Sequence, residues 1–164
     1  MKKIIATILF TTFLVTSVGA QELYLQKRAE RRNRTISTLA IQVGSVALNA
    51  VGDALLDRGR YEGNQNMMAW GHVARAGSIA TLLTVPLVID DKKDFLPFIG
   101  SYIFIRAATF DPIYNSVRGV DWNYHGNTSY WDRAWNKAKM PPHGEAWIRT
   151  WALTVGFAIQ INYN

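Results

Sequence analysis

The sequence predicts an all-α fold: an up-and-down bundle of four main helices, with an aromatic-rich loop and one short helix at one end, after an N-terminal signal segment. Two observations carry the helical part. Apolar residues recur at steps of three and four through long stretches of the 164-residue chain, the period of a helix with one buried face. Those stretches are separated by modest polar or Pro/Gly-containing connections, which favours antiparallel neighbours. A third observation, the apolar run behind Lys2 and Lys3, sets the N-terminal segment apart. The length suits one domain able to bury a core. There is no internal repeat or low-complexity tract.

Residues 1–20 have the makeup of a secretory signal peptide. Lys2 and Lys3 precede an apolar run from Ile4 to Val15, and Val18-Gly19-Ala20 places small residues before a cleavage point. Extended through Val18, the run is also about long enough for an uncleaved anchor helix. In either form the chain is delivered to a membrane, so the expected location is the cell envelope, embedded in the membrane or soluble in the periplasm. Residues 21–34 form a basic segment with Lys27, Arg28, Arg31, Arg32 and Arg34, and 35–164 a single helical domain. A basic run ahead of an apolar helix suits lipid headgroups or a solvated first turn. With a net charge of only +6 on an exported chain, nucleic acid is not an expected partner. The absence of cysteine excludes Cys-ligated zinc, iron–sulfur clusters and thiol nucleophiles.

The first helix is expected from a Thr35 cap to about Leu56. Ile36, Leu39, Val43, Val46, Ala50 and Ala54 give its apolar stripe; Gln42, Ser45, Asn49 and Asp53 give a second, polar stripe. Gly44, Ala47, Ala50 and Gly52 are small enough to admit another helix closely, and Gly59 is the expected C-terminal cap. A second helix is expected over 66–89, with Pro86 kinking its last turn. A third, 95–110, takes Pro97 in its first turn and stops at Asp111-Pro112. Thr128 or Ser129 would cap the short helix 130–139, ended by Met140-Pro141-Pro142. The segment 145–161 reads as helix rather than strand on its length and company.

In an up-and-down order, the polar ends of these helices meet at one end of the bundle. That end gathers Asn49 and Asp53, then His72 and Arg75, then Arg106, Asp111 and Asn115, with Arg149 on the last helix. The loop from the third helix brings Asp121, Trp122 and Tyr124 there, and the short helix brings Trp131. These residues, Arg149 excepted, are the candidate ligand-binding set. Charges near helix ends also serve simply to lock a bundle, because buried charge is tolerated only when paired. Aromatic faces beside Asn, Asp and His are how sugars and headgroups are gripped, and equally how a bundle end is sealed.

No catalytic residue, metal site or cofactor can be assigned from a motif: there is no G-x-S-x-G, H-E-x-x-H, P-loop or dinucleotide turn. Asp53 and Asp57, one turn apart, have the spacing to share a divalent cation. Their D-x3-D resembles the end of the CDP-alcohol phosphotransferase motif, although Asn49 stands where that motif has glycine and no Asp-Gly-x2-Ala-Arg precedes it. Asn127-Thr128-Ser129 fits the N-glycosylation pattern and equally a helix cap. Two functions are expected from this pattern. One is a non-enzymatic envelope protein binding a membrane lipid, a glycan headgroup or an envelope protein through its polar-aromatic end. The other is a membrane-bound enzyme acting on a polar lipid or glycan through an Asp/His/Arg cluster.

Overall fold

The structure, a computed structural model, describes residues 24–89, 91–126, 132–139, 141 and 143–163 in full, and only the backbone course of 2–23, 130, 131 and 142. The chain is all-helical, with no strand among the described residues. Its α-helices are α1 (Lys2–Glu62), α2 (Gln65–Leu83), α3 (Phe95–Arg118), α4 (Tyr130–Ala138) and α5 (Pro142–Tyr163), with 3-10 turns at Val85–Leu87 and Lys92–Asp94. The expected signal segment 1–20 lies outside the fully described residues. Residues 145–161 are helical, as part of α5.

α1 is the axis on which the rest is laid. α2 turns back along it because glycines let the two backbones meet. Gly52 lies against Gly71, and Gly59 against Met68. Further along, Ser45 and Ser78 exchange side-chain hydrogen bonds with each other and with each other's carbonyls. Partner numbers that fall on one helix as they rise on the other make the pair antiparallel.

α3 runs parallel to α1, with contacts at a nearly constant offset. Gln42 donates to the Phe98 carbonyl at 3.0 Å, Arg106 to Asn49 at 2.6 Å, and Tyr114 to Asp57. α5 returns antiparallel along α3: Ser101 donates to the Gly156 carbonyl at 2.7 Å and Arg149 to the Ala107 carbonyl at 3.0 Å. A single amide, Gln42, ties three helices together by donating to Gln160 of α5 and accepting from Ser101 of α3.

The helix–helix seams therefore combine small apolar residues with satisfied polar ones. Val46, Ala50, Ala54 and Ile105 are fully buried, and so are Gln42, Ser45 and Ser101. Leu56 and Phe98 are buried with them, but many other large apolar side chains sit outside: Leu83 is 74% exposed, Leu96 77% and Trp147 75%.

Several expected boundaries move. Thr35 does not cap a helix; α1 runs through it, and its hydroxyl bonds back to the Arg31 carbonyl. From Tyr24 the basic segment is a continuation of α1. Gly59 lies inside α1 as a packing contact, and Gly63, at φ 69°, makes the turn. Asn64 then caps α2 by accepting from the Met67 amide at 3.1 Å. α2 ends at Leu83, and Pro86 lies beyond it in a 3-10 turn rather than in its last turn. α3 carries Pro112 within it and ends only at Gly119, whose φ of 75° closes the helix onto the Asn115 carbonyl.

A Cβ at Gly71 would lie 2.8 Å from the Gly52 carbonyl oxygen and 3.0 Å from the Leu56 amide, and backbone cannot give way as a side chain can. Gly71→Ala should therefore lose about 1–3 kcal/mol. Gly44, with nothing within 4 Å, should tolerate alanine with a gain of up to about 1 kcal/mol from helix propensity. Thermal unfolding of the two variants beside wild type measures both.

Candidate functional site

The polar ends meet around a cavity of about 320 Å³. α1 contributes Asp53, Asp57 and Arg60, which fall on one face at steps of four and three. α2 contributes Arg75. α3 contributes Asp111, Tyr114, Asn115 and Arg118, again on one face, with Phe110 beside them. Tyr124 and Gly126 of the following loop and Asp132 of α4 close the rim. Among the described residues lining it are four carboxylates and three guanidiniums.

Each charge has a local reason for its place. Asp53 is bridged by Arg75 Nε at 3.3 Å. Asp57 accepts the Tyr114 hydroxyl and has Arg60 at 3.6 Å. The guanidinium of Arg118 stands 5.2 Å from the Tyr114 ring centroid. Burial, and then the hydrogen bond to and negative charge of Asp57, push the Tyr114 phenol up to about 12. Asp111 is held by Arg149 Nη2 at 2.9 Å.

Behind Asp111 lies a network with almost no access to water. Arg149, its side chain 6% exposed, donates through Nε to Glu145 at 2.7 Å and through Nη1 to the Ala107 carbonyl. The other oxygen of Glu145 meets His125 Nε2 at 3.0 Å. Glu145 as acceptor at that distance assigns the proton to Nε2. His125 Nδ1 then faces Asp132 Oδ1, too far at 3.9 Å for a hydrogen bond. The imidazole stacks on Trp135, centroids 5.6 Å apart, and the same indole lies 5.7 Å from the Arg149 guanidinium carbon. The loop is thus pinned to α5. Asn115, buried on α3, holds the loop's other side by donating to the Trp122 and Tyr124 carbonyls at 3.0 and 2.8 Å.

Of the residues singled out from the sequence, Asp53, Arg75, Asp111, Asn115 and Tyr124 line the cavity. Asn49 and Arg106 pair with each other one to two turns away, Arg106 lying over Phe110 at 4.3 Å. Arg106 therefore takes an amide, not a carboxylate, as its partner. His72 does not join the cluster. It follows Gly71, the residue turned onto α1, and one helical step of 100° carries it to the exposed outer side.

Asp121 lines a second hollow of about 360 Å³ on the far side of Tyr124, with His125, Trp135 and Glu145. Trp122 is exposed and contributes its carbonyl rather than its ring. The side chain of Trp131 and the motif at 127–129 lie outside the described residues. Among those described, no group of three or more His, Asp or Glu is placed to hold a metal ion, and Asp53 and Asp57 are each engaged by an arginine.

Sequence reasoning missed Glu145 and His125 as members of the site, and Tyr114 and Arg118 as its wall. The Glu145/Arg149 spacing of four was the available signal. Comparison of the chain with family models, curated proteins and solved structures finds no match, so the reading of this site rests on its own chemistry.

Arg149→Met would leave Glu145, 4% exposed as a side chain, without its cation. The loss should be about 3–5 kcal/mol, and Glu145→Gln combined with Arg149→Met should cost less than the sum of the single changes. Chemical denaturation of the three variants measures the coupling.

Tyr114 gives a second test. Its raised phenol pKa means the folded state holds the proton more tightly than the unfolded one. The contribution is intact below about 10 and is lost as pH rises toward about 12. Absorbance titration of wild type against Tyr114→Phe should remove one phenol that ionises last.

Proposed function

We propose that this is an exported membrane protein of the cell envelope: an up-and-down bundle of four long helices that receives the polar headgroup of a lipid at its charged, aromatic end, without catalysis. The observation that carries this reading is the inverted polarity of the helices. Gln42, Ser45, Ser78, Ser101 and Gln160 are buried and satisfied between helices, while Ile79, Leu83, Leu96, Ile103 and Trp151 are turned outward. Small residues at the seams, polar groups as interhelical ties and large apolar groups outside suit hydrocarbon as the surrounding solvent.

The dimensions agree. From Ile36 to Leu56 of α1, at a rise of about 1.5 Å per residue, the apolar part is about 30 Å long, the thickness of a hydrocarbon core. Arg34 and the Asp91–Asp94 turn bound it at one end, with Arg34 4.0 Å from Asp94. Trp70 and Trp147, both largely exposed, mark the other end, as aromatic residues do at membrane interfaces. One helix, over Tyr24–Glu62, is long and apolar enough to cross a membrane by its own composition, a property shared with signal sequences. α2, α3 and α5 carry polar residues that lower their average; Ser78, Ser101, Arg149 and Gln160 among them are buried, while His72, Thr150 and Thr154 are exposed.

The enzyme reading has less support. No histidine reaches the cavity, since His72 is on the outer face and His125 is enclosed with Glu145, and the carboxylates Asp53, Asp57 and Asp111 that could move a proton there are each engaged by an arginine.

Alkaline carbonate washing of membranes from expressing cells should leave the protein in the pellet; release into the soluble fraction would refute the embedded bundle. Lysine at Ile79 or Ile103 would face lipid and cost about 2.5–3.5 kcal/mol of insertion. Membrane-integrated protein should fall sharply in both variants, whereas lysine at exposed Arg58 should have no effect.

A further inference from the structure

We infer that the cavity at the polar end recognises a phosphate ester carrying a primary ammonium group, the phosphoethanolamine headgroup, in preference to phosphocholine. The inference deepens the proposed headgroup-binding function and rests on it for the source of the ligand. Its own basis is the arrangement of charge. Arg60, Arg75 and Arg118 line the cavity together with Asp53, Asp57, Asp111 and Asp132, and Asp53 and Asp57 each have an arginine beside them. A ligand of one sign would meet repulsion as well as attraction there. A ligand bearing both signs a few ångströms apart is matched on both.

The groups keep unused bonding capacity toward the opening. Arg75 commits Nε to Asp53 and Arg60 commits Nη1 to Asp57, at 3.3 and 3.6 Å, and a guanidinium has five N–H donors in all. Both arginine side chains remain more than half exposed. Among the described residues, Asp111 is bound through Oδ2 by Arg149. Phosphate oxygens suit the planar donors of arginine, and an ammonium with three N–H donors suits the remaining carboxylate oxygens.

The aromatic residues decide between the two common zwitterionic headgroups. A quaternary ammonium has no N–H and is held by bare ring faces. Here the Phe110 face is already covered by the Arg106 guanidinium at 4.3 Å, and Tyr114 has Arg118 at 5.2 Å. Among the described residues lining the cavity, Tyr124 is the one ring with no cation over its face, which is too little for an aromatic cage.

The cavity also lies at the right depth. Gly71, the neighbour of Trp70, packs on Gly52 and Leu56 beside Asp53. Trp147 is two residues from Arg149, the partner of Asp111. The tryptophans that mark the interface and the acids of the cavity therefore share one level, where headgroups reside.

The test uses the full chain in detergent micelles, titrated calorimetrically with glycerophosphoethanolamine, glycerophosphocholine, glycerol phosphate and ethanolamine. Glycerophosphoethanolamine should bind about tenfold or more tighter than each of the others, since each lacks one charge-assisted set of bonds. Asp53→Asn and Arg118→Gln should each weaken it about tenfold; Arg58→Ala, which loses a pairing with Glu62 away from the cavity, should not. Helicity and unfolding temperature of each variant identify any that fails to fold, and the remaining one then carries the comparison.

Equal affinity for the choline and ethanolamine esters, or no binding by folded wild-type protein, overturns the inference. Nanodiscs containing phosphatidylethanolamine should displace the soluble ester and phosphatidylcholine nanodiscs should not; failure of the former to compete overturns the lipid as source. A protein that resists carbonate yet binds no ester sinks this inference alone, whereas one released by carbonate sinks the membrane reading.

Discussion

The guanidinium of Arg149 is the interaction on which the polar end depends. A cation 6% exposed is tolerated only if nearly every donor is used, and here Nε, Nη1 and Nη2 reach Glu145, the Ala107 carbonyl and Asp111. Those three acceptors belong to α5 itself, to the α3 backbone and to the wall of the cavity. One side chain thereby fixes the height of α5 on α3 and the rotamer of an acid that faces the opening. Through the second oxygen of Glu145 the same constraint reaches His125 and the loop. Such a network is a device for specificity more than for stability, because an apolar replacement of similar volume would often do as well energetically.

The middle of the molecule obeys the same rule with neutral groups. Gln42 is completely buried and uses both ends of its amide, donating to Phe98 and Gln160 and accepting from Ser101. Sliding α3 or α5 by one turn would strand those groups without partners. Apolar seams built of glycine and alanine permit many registers; the amide permits one. Close approach and register are thus supplied by different residues, Gly52 and Gly71 for the first, Gln42 and Ser45 for the second.

How much of this was legible in the sequence varies with the kind of signal. Helical periodicity was strong enough to place all four long helices, and the polar stripe of Gln42, Ser45, Asn49 and Asp53 was visible as a stripe. Its direction was not: a polar stripe ordinarily means solvent, and only the neighbouring glycines and alanines hinted that it faces other helices. Boundaries failed where a residue has two uses. Thr35 reads as a cap but bonds back within a turn, Gly59 reads as a stop but makes room for Met68, and Pro112 reads as a breaker although its ring is accommodated inside α3. The meeting of Asp53, Arg75 and Asp111 at one cavity was legible because carboxylates and arginines at helix ends converge. His72 was misplaced since a single step along α2 separates facing α1 from facing outward. Asn115 lines the cavity and also holds the loop backbone, a use the sequence did not reveal.

Averages conceal the feature that matters most here. A mean hydropathy of −0.02 is low for a membrane protein when residues are counted without regard to where they point. The average includes the buried amides, the hydroxyls of the seams and the buried pair of Glu145 and Arg149, none of which meets the surroundings. What the surroundings meet is Leu83, Leu96, Ile103 and Trp151. In water such a surface would be an association hazard of considerable extent. In a bilayer it is the ordinary exterior, and the polar interior becomes the source of cohesion that lipid cannot replace. On the proposed membrane reading the same inversion would put the cavity at an end, since its charges stay open only where water reaches them.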